Sequence, residues 1–88
     1  MKTIHLNVTN IHTVKALHIY LAYMLELPKY YGRNLDALHD LLTELCEETC
    51  IILAGDAGSE EMAAYLPRLE AVLSACAEEN TCLRYVCI

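Results

Sequence analysis

The segment that most limits the fold is Thr49-Cys50-Ile51-Ile52-Leu53-Ala54, a short continuous apolar run that stops at Gly55-Asp56. Such a run predicts a central strand, covered on both faces or flanked on both edges. Thr3 to Val8 alternates instead, with Ile4, Leu6 and Val8 on one side and His5 and Asn7 on the other, which predicts a half-buried strand. Asn10 or Thr13 can cap a following helix whose apolar face is Val14, Leu17, Leu21 and Leu25. That helix is expected to end before Pro28, which disfavours helical geometry at Leu27. Ser59-Glu60-Glu61 reads as a further helix start, and Pro67 is expected to break that helix and begin another. Leu66, Leu69, Val72, Leu73 and Cys76 would give the second of these its buried face. Glu78-Glu79-Asn80 ends it, and Cys82 to Ile88 forms the last strand. Strands alternating with helices imply parallel pairing through right-handed crossovers. The expected architecture is therefore α/β: a two-layer, three-stranded parallel sheet with packed helices, in one domain over residues 1–88.

Composition narrows the function. Hydrophobic residues at 56% and charged residues at 20% place the chain among globular proteins rather than disordered ones. No run approaches the roughly eighteen apolar residues of a membrane span. The N-terminus alternates instead of forming an apolar signal core, so a cytoplasmic location is expected. A net charge of −6 argues against tracking phosphates, because a nucleic-acid binder needs a basic stripe. It fits a basic protein partner, where complementary fields speed encounter. Neither nucleic acid nor membrane is an expected partner, and a monomer is the simplest oligomeric expectation. The five cysteines, Cys46, Cys50, Cys76, Cys82 and Cys87, contain no CxxC pair. In a reducing compartment they are expected to be small core hydrophobes. No cofactor or metal is expected.

The chemistry concentrates in Leu27-Pro28-Lys29-Tyr30-Tyr31-Gly32-Arg33-Asn34-Leu35-Asp36-Ala37-Leu38-His39-Asp40. Gly32 permits a turn with positive φ, and Asn34 is a good N-cap for the helix that follows. Asp36, Asp40 and Glu44 fall at i, i+4 and i+8 and so share one helical stripe. Leu35, Leu38, Leu41, Leu42 and Leu45 form the opposite, buried side. Like charges at i,i+4 weaken a helix by roughly 0.2–0.5 kcal/mol per pair. From Asn34 to Pro67 there are eight acids and no Lys or Arg. The usual fate of a charge run is a solvated helix face. Here no nearby base compensates it and a Tyr-Tyr-Gly loop leads into it, which points to a partner with a basic cleft. Asp36 lies in the first turn, where the helix dipole offsets part of its cost.

Pro28 to Asp40, as Pro-x-Tyr-Tyr-Gly-x-Asn-Leu-Asp-Ala-Leu-x-Asp, resembles the signature of the barstar family. Those proteins are small cytoplasmic inhibitors of secreted bacterial ribonucleases of the barnase type. The resemblance covers nearly the whole chain in length and element order and is sharp from about Leu25 to Leu42. It implies that Asp40 enters a ribonuclease active site and imitates a substrate phosphate among Arg, Lys and His groups. Asp36 would add a second carboxylate to the same cleft. Tyr30 resembles the family's interface tyrosine, and Tyr31 is expected to anchor the loop. Gly32 would expose its backbone to the partner, and Asn34 would both cap the helix and contact the enzyme. Leu35 and Thr43 complete the expected contacts along the segment.

Three positions depart from the family's type sequence. His39 stands in place of a large tryptophan contact and gives less apolar burial. It can hydrogen-bond, pair with a partner carboxylate when protonated, or sit solvated beside Asp40. Glu44 replaces a small residue: it extends the acidic stripe, or it clashes with a partner shaped for glycine. Leu45 replaces another tryptophan. Glu78 aligns with a peripheral acidic contact, with Glu79 as the neighbouring choice. An Asp36/His39/Asp40 metal site is conceivable on one helix turn, but that spacing is common without metal.

The leading expectation is an intracellular ribonuclease inhibitor that blocks an active site and performs no catalysis. A close variant is an immunity protein against a different toxin nuclease. A second class is a non-inhibitory adaptor for a basic protein. Against an enzyme, the chain has no glycine-rich phosphate loop, no Ser-His-Asp order and no recognised ligand cluster. Two carboxylates on an exposed stripe also lack the burial that separates acid from base.

Overall fold

The computed structural model describes residues 1–88. Its elements are β1 (Lys2–Asn7), α1 (Val14–Met24), α2 (Leu35–Thr43), β2 (Thr49–Ala54), α3 (Glu60–Glu79) and β3 (Leu83–Cys87). The strands pair in parallel in the order β1-β2-β3, with Ile4 opposite Ile51 and Ile51 opposite Tyr85. The fold is the expected α/β arrangement, a three-stranded parallel sheet with packed helices. β2 takes the centre and is flanked on both edges.

Strand alternation sorts the sheet into two faces. Ile4, Leu6, Ile51, Leu53 and Leu83 are buried with Leu17, Leu21, Leu38, Leu42, Met62, Leu69 and Leu73 from the helices. Each such side chain contributes about 1.5–3 kcal/mol by leaving water, so this one-sided core is the main source of stability. On the other face Thr3, His5, Asn7, Arg84 and Val86 are exposed, and Cys50, Ile52 and Ala54 are half-buried. No helix is long and apolar enough to cross a membrane.

The helix starts are interlocked. Thr13 caps α1 by accepting the Ala16 N–H at 3.0 Å, and Glu61 of α3 accepts the Val14 N–H at 2.5 Å. Ser59 caps α3 by accepting the Met62 N–H at 3.2 Å, and its hydroxyl donates to the His12 carbonyl at 2.5 Å. A Cβ on Gly58 would lie 2.7 Å from His12 Nδ1 and 2.8 Å from the Ile11 carbonyl, so the crossing requires glycine. Each helix is thus capped locally, and the Glu61–Val14 and Ser59–His12 bonds join the two N-termini.

Four expectations need correction. Pro67 does not divide two helices; it lies inside the single helix α3. Met62, Leu69, Leu73 and Cys76 form one fully buried stripe that runs past it, while Pro67 itself is exposed. Burial along that stripe outweighs the ~3 kcal/mol cost of an interior proline. The second concerns the α1–α2 loop: positive φ occurs at Glu26 (53°) and Arg33 (55°), not at Gly32. A Cβ on Gly32 would fit tightly, 3.2 Å from Asn34 Nδ2 and 3.3 Å from Ala37 Cβ, so those side chains would have to give by a few tenths of an ångström. Third, all five cysteines are free thiols, but only Cys76 is fully buried; Cys46 and Cys87 are exposed. Fourth, the outer strands are displaced by about a residue from their expected starts, because β1 begins at Lys2 and β3 at Leu83.

Candidate protein-docking surface

Asn34 sets the start of α2: its Oδ1 accepts the Ala37 N–H at 2.7 Å, and its Nδ2 donates to the Gly32 carbonyl at 3.2 Å. The helix buries Leu38 and Leu42 fully and Leu35 and Leu41 partly. Asp36 and Asp40 therefore face solvent, and Glu44 follows as the C-cap residue, also exposed. No Lys or Arg pairs with any of these three carboxylates; His39 Nδ1 lies 3.9 Å from Asp40 Oδ1. Asp36 lies at the favourable end of the helix dipole and Glu44 at the unfavourable end, where the last turn carries no base.

Asp40 and Glu44 share an open concavity of about 290 Å³ with Tyr30, Tyr31, Gly32, Ala37 and Leu41. Tyr30, Tyr31, Ala37 and Leu41 line it together with the carboxylate residues Asp40 and Glu44. The two tyrosines divide sharply. Tyr30 is 79% exposed, whereas Tyr31 is 7% exposed and belongs to the core. Tyr30 presents an aromatic ring to solvent beside unpaired carboxylates, a combination that suits a cationic side chain from a partner.

Tyr31 is held by a buried polar network that the sequence reading did not anticipate. Its hydroxyl lies 2.6 Å from Nδ1 of His18 on α1, and Nε2 of the same ring lies 2.8 Å from the Tyr65 hydroxyl on α3. His18 is 1% exposed, and burial lowers its pKa below the ordinary histidine value. Burial likewise raises the Tyr31 and Tyr65 phenols. A neutral imidazole suits this place: one ring nitrogen accepts from a phenol and the other donates to its neighbour. His18 falls on the same apolar stripe as Leu17 and Leu21, and a polar ring on a buried stripe was the available signal.

On its other flank α2 is tied to α3. His39 Nε2 lies 2.6 Å from Glu79 Oε2, so His39 turns toward its own chain's carboxylate rather than standing free beside Asp40. The Thr43 hydroxyl donates to the His39 and Asp40 carbonyls at 2.9 and 3.1 Å and is engaged by its own helix. Buried Asn80 donates from Nδ2 to the Leu42 and Leu45 carbonyls, both at 2.9 Å, and accepts the Cys82 N–H at 2.9 Å. It thereby closes the C-terminus of α2. Glu78 is exposed and makes no ion pair. Of the residues singled out from sequence, Tyr30, Gly32, Asp40 and Glu44 gather at the concavity. Asn34, Leu35 and Asp36 form the helix start, while His39 and Thr43 lie toward the α3 side. Asp36, His39 and Asp40 do not converge on a metal-binding geometry.

No individual curated protein matches this chain. At the level of families the relationship is clear: over residues 1–86, nearly its full length, the chain matches and belongs to the family described as Barstar (barnase inhibitor).

Proposed function

We propose that this protein inhibits a barnase-type ribonuclease by placing α2 and the Tyr30–Gly32 loop over the enzyme's active site. The observation that carries this reading is the position of Asp40: exposed, unpaired with any Lys or Arg, and lining a concavity it shares with Tyr30 and Glu44. In the folded protein alone this arrangement yields no ion-pair energy, whereas a cationic active site supplies the missing charge. Asp40 takes the place of a substrate phosphate, and Asp36 extends the negative field along the helix. Tyr30 supplies aromatic contact, while Gly32, Asn34, Leu35 and Thr43 shape the remaining surface. His39 and Glu78 sit at the rim. The protein acts in the cytoplasm as a single-domain monomer, by occlusion and without catalysis.

Glu44 favours one variant of this reading. It brings a second carboxylate into the concavity, where the family's type sequence has a small residue. A cognate enzyme that supplies an additional cation there would make the chain an immunity protein for a nuclease other than barnase itself. The deciding experiment titrates the protein into a barnase assay, with Asp40→Ala as control. Stoichiometric inhibition lost in the variant supports active-site occlusion. Inhibition unchanged by Asp40→Ala would remove the phosphate-mimic role, and no inhibition by either protein would exclude barnase as the target.

A further inference from the structure

We propose that His18 is a positioning residue that latches the docking loop through Tyr31, and that protonation of its ring opens the latch. In the connection between α1 and α2, Tyr31 is the one fully buried residue; Leu25, Leu27 and Pro28 are half-buried and the others are exposed. The same connection holds two non-glycine residues at positive φ, Glu26 at 53° and Arg33 at 55°. Left-handed conformations of such residues are costly and persist where surrounding contacts hold them. The first part of the connection is tied by Glu26 to Lys2 at 3.0 Å and by the Leu27 N–H to the Ala22 carbonyl at 3.0 Å. Past Pro28, beyond the Tyr31 N–H to Pro28 carbonyl bond and the Asn34 cap, the polar tie to the core is the Tyr31 hydroxyl on His18.

The latch suits only one protonation state. With a neutral ring, the two phenols and the imidazole can form a continuous donor–acceptor chain between the loop, α1 and α3. A second ring proton makes both nitrogens donors, so the phenol that had donated to the ring loses its acceptor in a buried setting. The groups facing His18 offer the new cation no counter-charge. The loop contributes Tyr31, and α3 contributes Tyr65, whose ring lies 5.4 Å from the cationic Arg68 guanidinium. Separating Tyr31 from His18 lets the ring be solvated, and the Tyr30–Gly32 segment moves with it. This latch belongs to the free protein; its consequence, weaker docking in acid, rests on the function proposed above.

The test therefore needs no partner. Hydrogen exchange, corrected for intrinsic rate, is followed at the Tyr31 amide and at the Thr49 amide, which donates to the Cys82 carbonyl at 2.8 Å in the sheet. Measurements run from about pH 7.5 to pH 5, across the usual histidine range. In the wild type, Tyr31 should be less protected than Thr49 throughout, because the latch opens without global unfolding, and its protection should fall by a factor approaching tenfold per pH unit once the opened form binds the extra proton. His18→Gln cannot titrate and should flatten the Tyr31 slope while leaving Tyr31 less protected than Thr49. Tyr31→Phe, which keeps the packing, should lower loop protection at neutral pH and flatten its slope. Tyr31 protection equal to Thr49 protection, or a Tyr31 slope that survives His18→Gln, would overturn the latch. Neither result would bear on whether the protein inhibits a ribonuclease, which the barnase titration decides separately.

Discussion

His39 on α2 and Glu79 at the end of α3 meet at 2.6 Å, forty residues apart in the chain. The bond fastens the acidic helix to the longest helix and leaves neighbouring Glu78 unpaired. Both side chains are partly exposed, His39 at 38% and Glu79 at 55%, so solvent screens the pair. A double-mutant cycle with His39→Ala and Glu79→Ala should give a coupling of about 0.2–1 kcal/mol that shrinks in high salt. A coupling indistinguishable from zero at low salt would mean that the contact does not hold α2 in solution.

Asp40 and Asp36 should separate folding from docking. Neither has a Lys or Arg partner, and each repels an acid one turn away. Asp40→Ala should leave stability within about 0.5 kcal/mol of wild type, or raise it slightly. Its binding to a cognate nuclease should weaken by several kcal/mol, as expected when one member of a buried interfacial charge pair is removed. Wild-type association should also slow as ionic strength rises. Urea midpoints, inhibition titrations and stopped-flow rates at two salt concentrations measure these effects. An on-rate insensitive to salt would argue against docking through the acidic face.

Local chemistry was the legible part of this fold. Thr49–Ala54 is a strand because its apolar side chains need cover, and it is central because both edges are paired. Asn34 is a cap because its short amide reaches the Ala37 N–H. Tyr31 was expected to anchor the loop from its place in the motif that resembles the family's, and it is buried. Pro67 was misread because local propensity says break, although Met62 continues the helical period of Leu69, Leu73 and Cys76 on the other side of the proline. The positive φ falls at Arg33 rather than at Gly32, where a Cβ would meet Asn34 and Ala37 closely. The bonds of His18 to Tyr31 and Tyr65 and of Asn80 to Leu42 and Leu45 went unread because these partners lie 13 to 47 residues away, although the polar ring of His18 on an apolar stripe was a local signal.

Asn80 should be the most sensitive polar position outside the docking surface. It satisfies two carbonyls at the end of α2 and one N–H at the start of the turn into β3. Asn80→Ala removes all three partners and should cost at least 1–3 kcal/mol, roughly the penalty for one buried unpaired group. Asn80→Asp should be worse, because it sets a carboxylate against the Leu42 and Leu45 carbonyl oxygens. Urea unfolding of both variants measures the order, and an Asp variant as stable as wild type would contradict the assigned donor role.

The pH dependence of global stability follows from His18. Its folded pKa lies below 6.5 because burial penalises the charged ring, and its phenol partners bring no negative charge. As pH falls through 6.5 the unfolded chain takes up a proton that the folded chain still refuses. The unfolded state then binds more protons, so stability rises with pH in that window. The contribution is fully present above 6.5 and is lost as pH falls toward the folded pKa. The slope for this one group cannot exceed about 1.4 kcal/mol per pH unit. Urea midpoints at several values between about pH 7.5 and pH 5 should show the wild type losing stability on acidification. His18→Gln should be less stable at neutral pH, where it forfeits ring packing, yet flatter across the same window. Parallel curves for the two proteins would place the acid sensitivity elsewhere, in groups other than the buried ring.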